Sequence, residues 1–305
     1  MLVFAASDKG GAGRSVTSSN VAYRAALRGD DVAYLDFDLG SPTAGAIFGI
    51  DRAETGTTGG AGLHRYLMRQ VAAPDPIEVW QQAARQAIRH RPPGTGRLTL
   101  FPGDVGGGEF LTNTNLIDPC LDLFLRLNEQ FGICFVDLSA GRSLAVELML
   151  RVTALPQMRT ITCRWLVFHR WTVQHVIAAG GLVHGPRGLL ETARRYKHDP
   201  EHFTGNLRYV RTAVIDPSSL THRGLSAEQG SWINDRNQRL NQLAGEYQVG
   251  RSRLLGSVPL DPMLQWQEQL VTDEDVVRGV ANVATRNAFD DLARRLVDDA
   301  AWETL

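Results

Sequence analysis

Seven residues near the start of the chain, Lys9-Gly10-Gly11-Ala12-Gly13-Arg14-Ser15, restrict its fold more than any others. They follow an apolar run, Leu2-Val3-Phe4-Ala5-Ala6, and open a stretch of good helix character over residues 16–28. An apolar strand, a glycine loop and a helix start, in that order, form a phosphate cradle. The glycines let the backbone turn tightly, so that consecutive N–H groups point into one concavity. The helix N-terminus adds unpaired donors and the positive end of its dipole. Ser15, directly after the cationic residue, is placed to ligate Mg²⁺.

The next apolar run, Val32-Ala33-Tyr34-Leu35, reads as a buried strand that ends in Asp36-Phe37-Asp38. Strand, helix and strand make a βαβ unit whose right-handed crossover brings Lys9 and Asp36 to one sheet edge. Carboxylates there have metal and water to organise, or else are solvated turn residues. Residues 121–131 carry Leu121, Phe124, Leu125 and Leu127 at helical spacing and lead into Ile133-Cys134-Phe135-Val136-Asp137, a buried strand closed by one acid. That acid either bonds the Mg²⁺ shell of a phosphate site or caps the helix that follows.

The 305 residues are 43% hydrophobic and 21% charged, enough for one large α/β domain or two smaller ones. The net charge of -1 supplies no global field toward nucleic acid or an anionic membrane. Lys9 and Lys197 are the only lysines among 32 basic residues. Cys120, Cys134 and Cys163 include no C-x-x-C pair, which points to buried thiols in a reducing compartment. The chain enters a strand at once and has no apolar run of 18 residues, so neither a secretory signal nor a transmembrane helix is expected. These features point to a cytoplasmic protein.

Further along, helices are expected over residues 77–88, 144–155, 172–179, 231–247 and 282–297, and strands over 98–101, 160–168, 207–214 and 254–260. His64 and His90 stand without a partner at ligand spacing and read as surface residues. The strand near residue 165 carries Arg164, Trp165, His169, Arg170 and Trp171, either core and rim or a base-stacking face. Residues 187–211 are locally basic, either a solvated face or a DNA-contacting patch.

The Lys-Gly-Gly-x-Gly pattern at Lys9 resembles the deviant Walker motif of the ParA/MinD family of ATPases. Asp36-Phe37-Asp38-Leu39-Gly40 resembles that family's first switch, Asp137-Leu138-Ser139-Ala140-Gly141 its second, and Thr212-Ala213-Val214-Ile215-Asp216-Pro217 the Thr-x-x-x-Asp-Pro run of its ParA branch. Leu255-Gly256-Ser257-Val258-Pro259-Leu260-Asp261 is similar to its last strand and Pro-x-Asp turn. Four positions depart from the pattern: Asp8 stands for glycine, Arg14 for lysine, Val16 for a hydroxyl residue and Ser139 for proline.

The resemblance implies one α/β domain over residues 1–305, a three-layer αβα sandwich with a mainly parallel, twisted sheet. It implies ATP or ADP on Lys9, Gly10, Gly11, Ala12, Gly13, Arg14, Ser15 and Val16, with Arg14 neutralising β/γ charge. Thr212, Asp216, Pro259 and Asp261 would border the base, and Ser15, Asp36 and Asp137 would hold Mg²⁺. Lys9 would reach the phosphates of a second subunit in a nucleotide-bound homodimer, and Asp38 would orient the attacking water. A protein partner is implied and non-specific DNA is conceivable, though the net charge does not favour it. The acidic end, Val297-Asp298-Asp299, disfavours a membrane anchor.

Three functions are consistent with these residues. One is a nucleotide-switched dimer that positions or regulates a partner through slow ATP hydrolysis. Another is a degenerate scaffold that holds nucleotide without turnover. The third is a P-loop metabolic enzyme or small-molecule kinase, which needs an acid–base group at an acceptor pocket that the sequence does not offer.

Overall fold

The computed structural model describes residues 1–108, 115–216 and 224–303. Its frame is an eight-stranded sheet of order β3-β4-β2-β5-β1-β6-β7-β8. The strands are β1 (Leu2–Ala6), β2 (Val32–Phe37), β3 (Ile77–Glu78), β4 (Leu98–Phe101), β5 (Ile133–Leu138), β6 (Cys163–Arg170), β7 (Leu207–Val214) and β8 (Leu254–Pro259). All pairs are parallel except the edge pair β3–β4.

Parallel strands need cover on both faces, and here they read as continuous apolar runs. Along β1 the side chains alternate. Leu2, Phe4 and Ala6 join one core with the helices Ile117–Gln130, Leu144–Thr153 and Val173–His184. Val3 and Ala5 join the other, under α1 (Arg14–Leu27) and the helix Val283–Val297. The chain leaves β1 toward β2 on one side of the sheet, and leaves β5 toward β6 on the other. The carboxyl ends of β1 and β5 thus form a switch point, where open α/β sheets bind ligands. The register sets Asp36 directly beside Asp137 at this end.

Several elements differ from expectation. Residues 77–88 are not one helix. Ile77 pairs with Leu100 as an edge strand, and two single-turn helices, Val79–Gln82 and Gln86–Arg89, follow. Ala83 is extended between them, and the Arg85 guanidinium is drawn to both Asp275 oxygens at 2.7 Å. The expected helix over 231–247 begins earlier, at Ala227, because Ser226 and Gln229 form a capping box. His64 is buried, its Nε2 on the Leu39 carbonyl at 2.8 Å and its Nδ1 accepting from the Asp104 amide. It ties two loops at the carboxyl end of the sheet, which its isolation in sequence concealed.

The residues around β6 are core and rim rather than a base platform. Trp165 packs on Phe4, ring centroids 4.8 Å apart, and His169 is buried. Arg211 is buried over the Trp171 ring at 3.8 Å. The Arg164 and Arg208 guanidinium groups both lie over the Trp302 ring, 4.5 and 5.2 Å from its centroid. Arg208 and Arg211 are therefore not part of an exposed basic face. Pro217, Thr304 and Leu305 lie outside the described residues. No helix among the described residues is long and apolar enough to cross a membrane.

Trp302 fixes the C-terminal segment to the starts of β6 and β7, and its Nε1 donates to the Arg295 carbonyl at 3.1 Å. Trp302→Ala removes a buried ring and leaves two guanidinium groups without their aromatic partner. The expected loss is about 3 kcal/mol of unfolding free energy in urea titration, at unchanged secondary structure.

Candidate functional site

Beyond β1 the chain makes two left-handed steps, at Gly11 (φ 70°) and Gly13 (φ 71°). Both need a residue without Cβ strain. Gly13 stands at the N-cap of α1 without any side-chain cap, so the first turn's amides face outward unpaired by a neighbouring side chain. A Cβ placed on Gly10 or Gly11 would meet nothing within 4 Å, so the loop borders open space. That space is a cavity of about 430 Å³ lined by the whole of the loop from Lys9 to Val16 and by Asp38, Thr43, Ile47, Ala140 and Glu268. Its size and its ring of outward amides suit a nucleotide.

Neighbouring strands steady the loop. Thr212, on β7, donates from Oγ1 to the Ala12 carbonyl at 2.6 Å and lies against Gly13. The Gly141 amide donates to Ser7 at 2.7 Å. Arg142 pairs with Asp8 at 3.0 Å and reaches the Gly181 carbonyl at 2.6 Å. Lys9 is exposed on the rim of the cavity, without an ion pair among the described residues.

Arg14 lines the same cavity, but its charge is already engaged. Its guanidinium turns down to the strand tips: Nε donates to Asp137 Oδ1 at 2.5 Å, Nη2 to Asp38 Oδ2 at 2.9 Å and to Ser15 Oγ at 3.2 Å. Nη1 lies 3.5 Å from Ser7 Oγ. The side chain is only 7% exposed. Burial alone would disfavour its charge, but Asp137 and Asp38 outweigh that and hold its pKa above the ordinary value.

Asp36 is buried and turned elsewhere. Its carboxylate accepts from the Asp38 amide at 3.2 Å and from the Ala44 amide at 2.9 Å, at the start of α2 (Ala44–Ile47). Burial, with Asp137 alongside, pushes its carboxyl up to about 8. It therefore serves as the anchor of the loop after β2.

The expected magnesium set can be tested against this geometry. Ser15, Asp38 and Asp137 all accept from one guanidinium, and Asp36 is held by backbone amides. A divalent ion bound by Ser15 and Asp137 would stand within bonding reach of atoms that touch Arg14. It would have to compete with the guanidinium for the same oxygen atoms and would be repelled by its charge. The residues present do not fit the metal, and no group of three His, Cys, Asp or Glu suited to a metal occurs elsewhere among the described residues.

Of the positions expected to border the base, Thr212 meets the loop itself. Asp261 caps the short helix Pro262–Trp266 and also accepts from the Asn282 amide, a structural role. Pro259 ends β8, and Asp216 is exposed beyond β7; neither lines the cavity. Sequence reasoning missed Arg142 and Glu268. Neither belongs to a local motif, and each reaches the site only through the fold.

No family model and no curated protein matches the chain. Solved structures do. A chain of the MinC:MinD cell division protein complex of Aquifex aeolicus aligns over 100% of this chain and 97% of its own, at a TM-score of 0.56 and 16% identity. A ParA family ATPase from Chlorobium tepidum aligns over 96% and 98%, at 0.56 and 13%. A putative plasmid partition protein of Borrelia burgdorferi, bound to AMPPNP, aligns over 96% of each chain at 0.57 and 10%. The fold is that of the MinD and ParA ATPases.

The Asp36 carboxyl gives a pH signature. It ionises near 3.8 in the unfolded chain and near 8 in the folded one, so between these values the folded state holds an extra proton. Stability from this group is lost as pH rises through that window. Asp36→Asn cannot ionise but keeps an acceptor for the Ala44 amide. Thermal melts from pH 5 to 8 are expected to show Tm falling more steeply in the native chain than in Asp36→Asn.

Proposed function

We propose that the chain is a ParA-like nucleotide-binding protein that positions or partitions a partner as a nucleotide-dependent homodimer. Its nucleotide is ATP or ADP, held on the amides of Gly10, Gly11, Ala12, Gly13, Arg14, Ser15 and Val16. The observation that carries this reading is the division of labour between the two cations of the loop. Arg14 is consumed by Asp38 and Asp137, whereas Lys9 stands exposed on the cavity rim. A cation there is free to approach phosphates, including those bound by a second copy facing it. The AMPPNP held by the Borrelia plasmid partition protein of the same fold supports the choice of nucleotide.

In this reading each group of the chain has one task. The unpaired amides at the start of α1 bind phosphate oxygens. Thr212 fixes the loop by its bond to the Ala12 carbonyl. Lys9 supplies positive charge across the dimer, as an arginine finger does elsewhere. Asp38 is the acid expected to orient water, and its bond to Arg14 withholds it. Turnover is therefore slow. The same bond favours a second reading, a scaffold that binds nucleotide and partner without hydrolysis.

Sedimentation of the full chain tests the assignment. With ATP the native chain is expected to shift from monomer to dimer, and Lys9→Ala to bind nucleotide but remain monomeric. A nucleotide-independent sedimentation profile would count against the switched dimer. Single-turnover phosphate release separates the two readings. Arg14→Lys, with one ammonium in place of the fork, releases Asp38 and is expected to raise the rate by about tenfold. No phosphate from either protein would favour the scaffold.

A further inference from the structure

We infer that the Arg14 guanidinium is a built-in replacement for the divalent ion, and that the chain binds a nucleoside di- or triphosphate without metal. The inference rests on nucleotide binding at the glycine loop. It goes further by assigning the cation beneath the phosphates to a side chain.

Three observations carry it. First, one planar group bonds the three side chains otherwise suited to a hard cation: Asp137 at 2.5 Å, Asp38 at 2.9 Å and the Ser15 hydroxyl at 3.2 Å. These contacts come from three segments of the chain, the start of α1, the tip of β5 and the residue after β2. A metal ion would cross-link the same three. Second, the guanidinium has nowhere better to go. It is buried, and Asp137 is 1% exposed, so withdrawing Arg14 would strand a carboxylate without countercharge. Third, its placement does not fill the cradle. The guanidinium is held against the cavity wall by Asp38, Asp137 and Ser15, and the space beside Gly10 and Gly11 stays open.

The consequence differs from that of a bound ion. A guanidinium keeps its charge at every physiological pH and does not dissociate. The three segments are therefore joined before nucleotide arrives. With Asp38 and Asp137 offset by Arg14 alone, the positive charge for the phosphates comes from Lys9 and the start of α1. Nucleotide already complexed to magnesium brings a second cation toward Arg14 and gains no affinity from it.

The test is titration of the full chain with a fluorescent ADP analogue, in magnesium and again in excess chelator. The native chain is expected to keep its affinity within about threefold when magnesium is removed. Arg14→Lys, which leaves Ser15 and one acid open to metal, is expected to lose at least about tenfold on chelation. A larger loss than threefold by the native chain overturns the inference and leaves nucleotide binding intact. Metal-independent binding by Arg14→Lys also overturns it, because Arg14 is then not the reason. Failure to bind under both conditions overturns the nucleotide reading and the inference with it. Should Arg14→Lys not fold, the two titrations of the native chain decide alone.

Discussion

The site depends on one buried contact, the guanidinium of Arg14 laid across Asp38 and Asp137. The parallel register makes such a contact necessary. It aligns Asp36 with Asp137 at adjacent strand tips and leaves Asp38 two residues further on. Three carboxyl groups so close together cannot all be ionised without a cation among them. The fold meets this in two ways. Arg14 supplies charge to two of them, and burial beside Asp137 keeps a proton on the third until about pH 8.

The type of cation matters as much as its charge. Lysine carries a point charge and satisfies one partner well, whereas the arginine fork has five donors in fixed directions. Here Nε addresses Asp137 on β5 and Nη2 addresses Asp38 just after β2, and Nη2 also reaches Ser15. Buried ion pairs add little net stability, because desolvation offsets much of their attraction. What this cluster adds is alignment: it sets the start of α1 against β5 and the loop after β2. Thr212 and Gly141 then hold the glycine loop from the other side.

Much of this was legible in the sequence. The strand–glycine–helix order, the acids closing two apolar runs and the alternation of elements gave a parallel α/β sheet, because each of these signals is local. The site was less legible wherever its geometry depends on distant segments. Arg14 was expected at the phosphates because its position in the motif suggests it. Its actual partners are 24 and 123 residues away. Asp36 was expected near a metal, but the Ala44 amide takes its carboxylate, and only the turn after β2 brings that amide close. Arg142 and Glu268 carried no motif at all. The misread segment over 77–88 has enough helix-forming residues for a helix, but pairing of Ile77 with Leu100 and the pull of Asp275 on Arg85 override that propensity. Ser226 and Gln229 did announce an earlier helix start by their spacing.

The arrangement also links two properties that are separable in a site held by a metal. A metal ion can bind Ser15 and Asp137 while Asp38 stays free for water, since the ion's remaining positions accept phosphate and solvent. A guanidinium that reaches both strand tips has no such freedom, for its Nη2 is committed to Asp38 as part of the same planar group that holds Asp137. The bond that joins the three segments without metal is the bond that takes the carboxylate away from water. Freeing Asp38 means rotating the fork off Asp137 as well, which exposes a buried charge. Readiness to bind and reluctance to turn over thus have one physical origin.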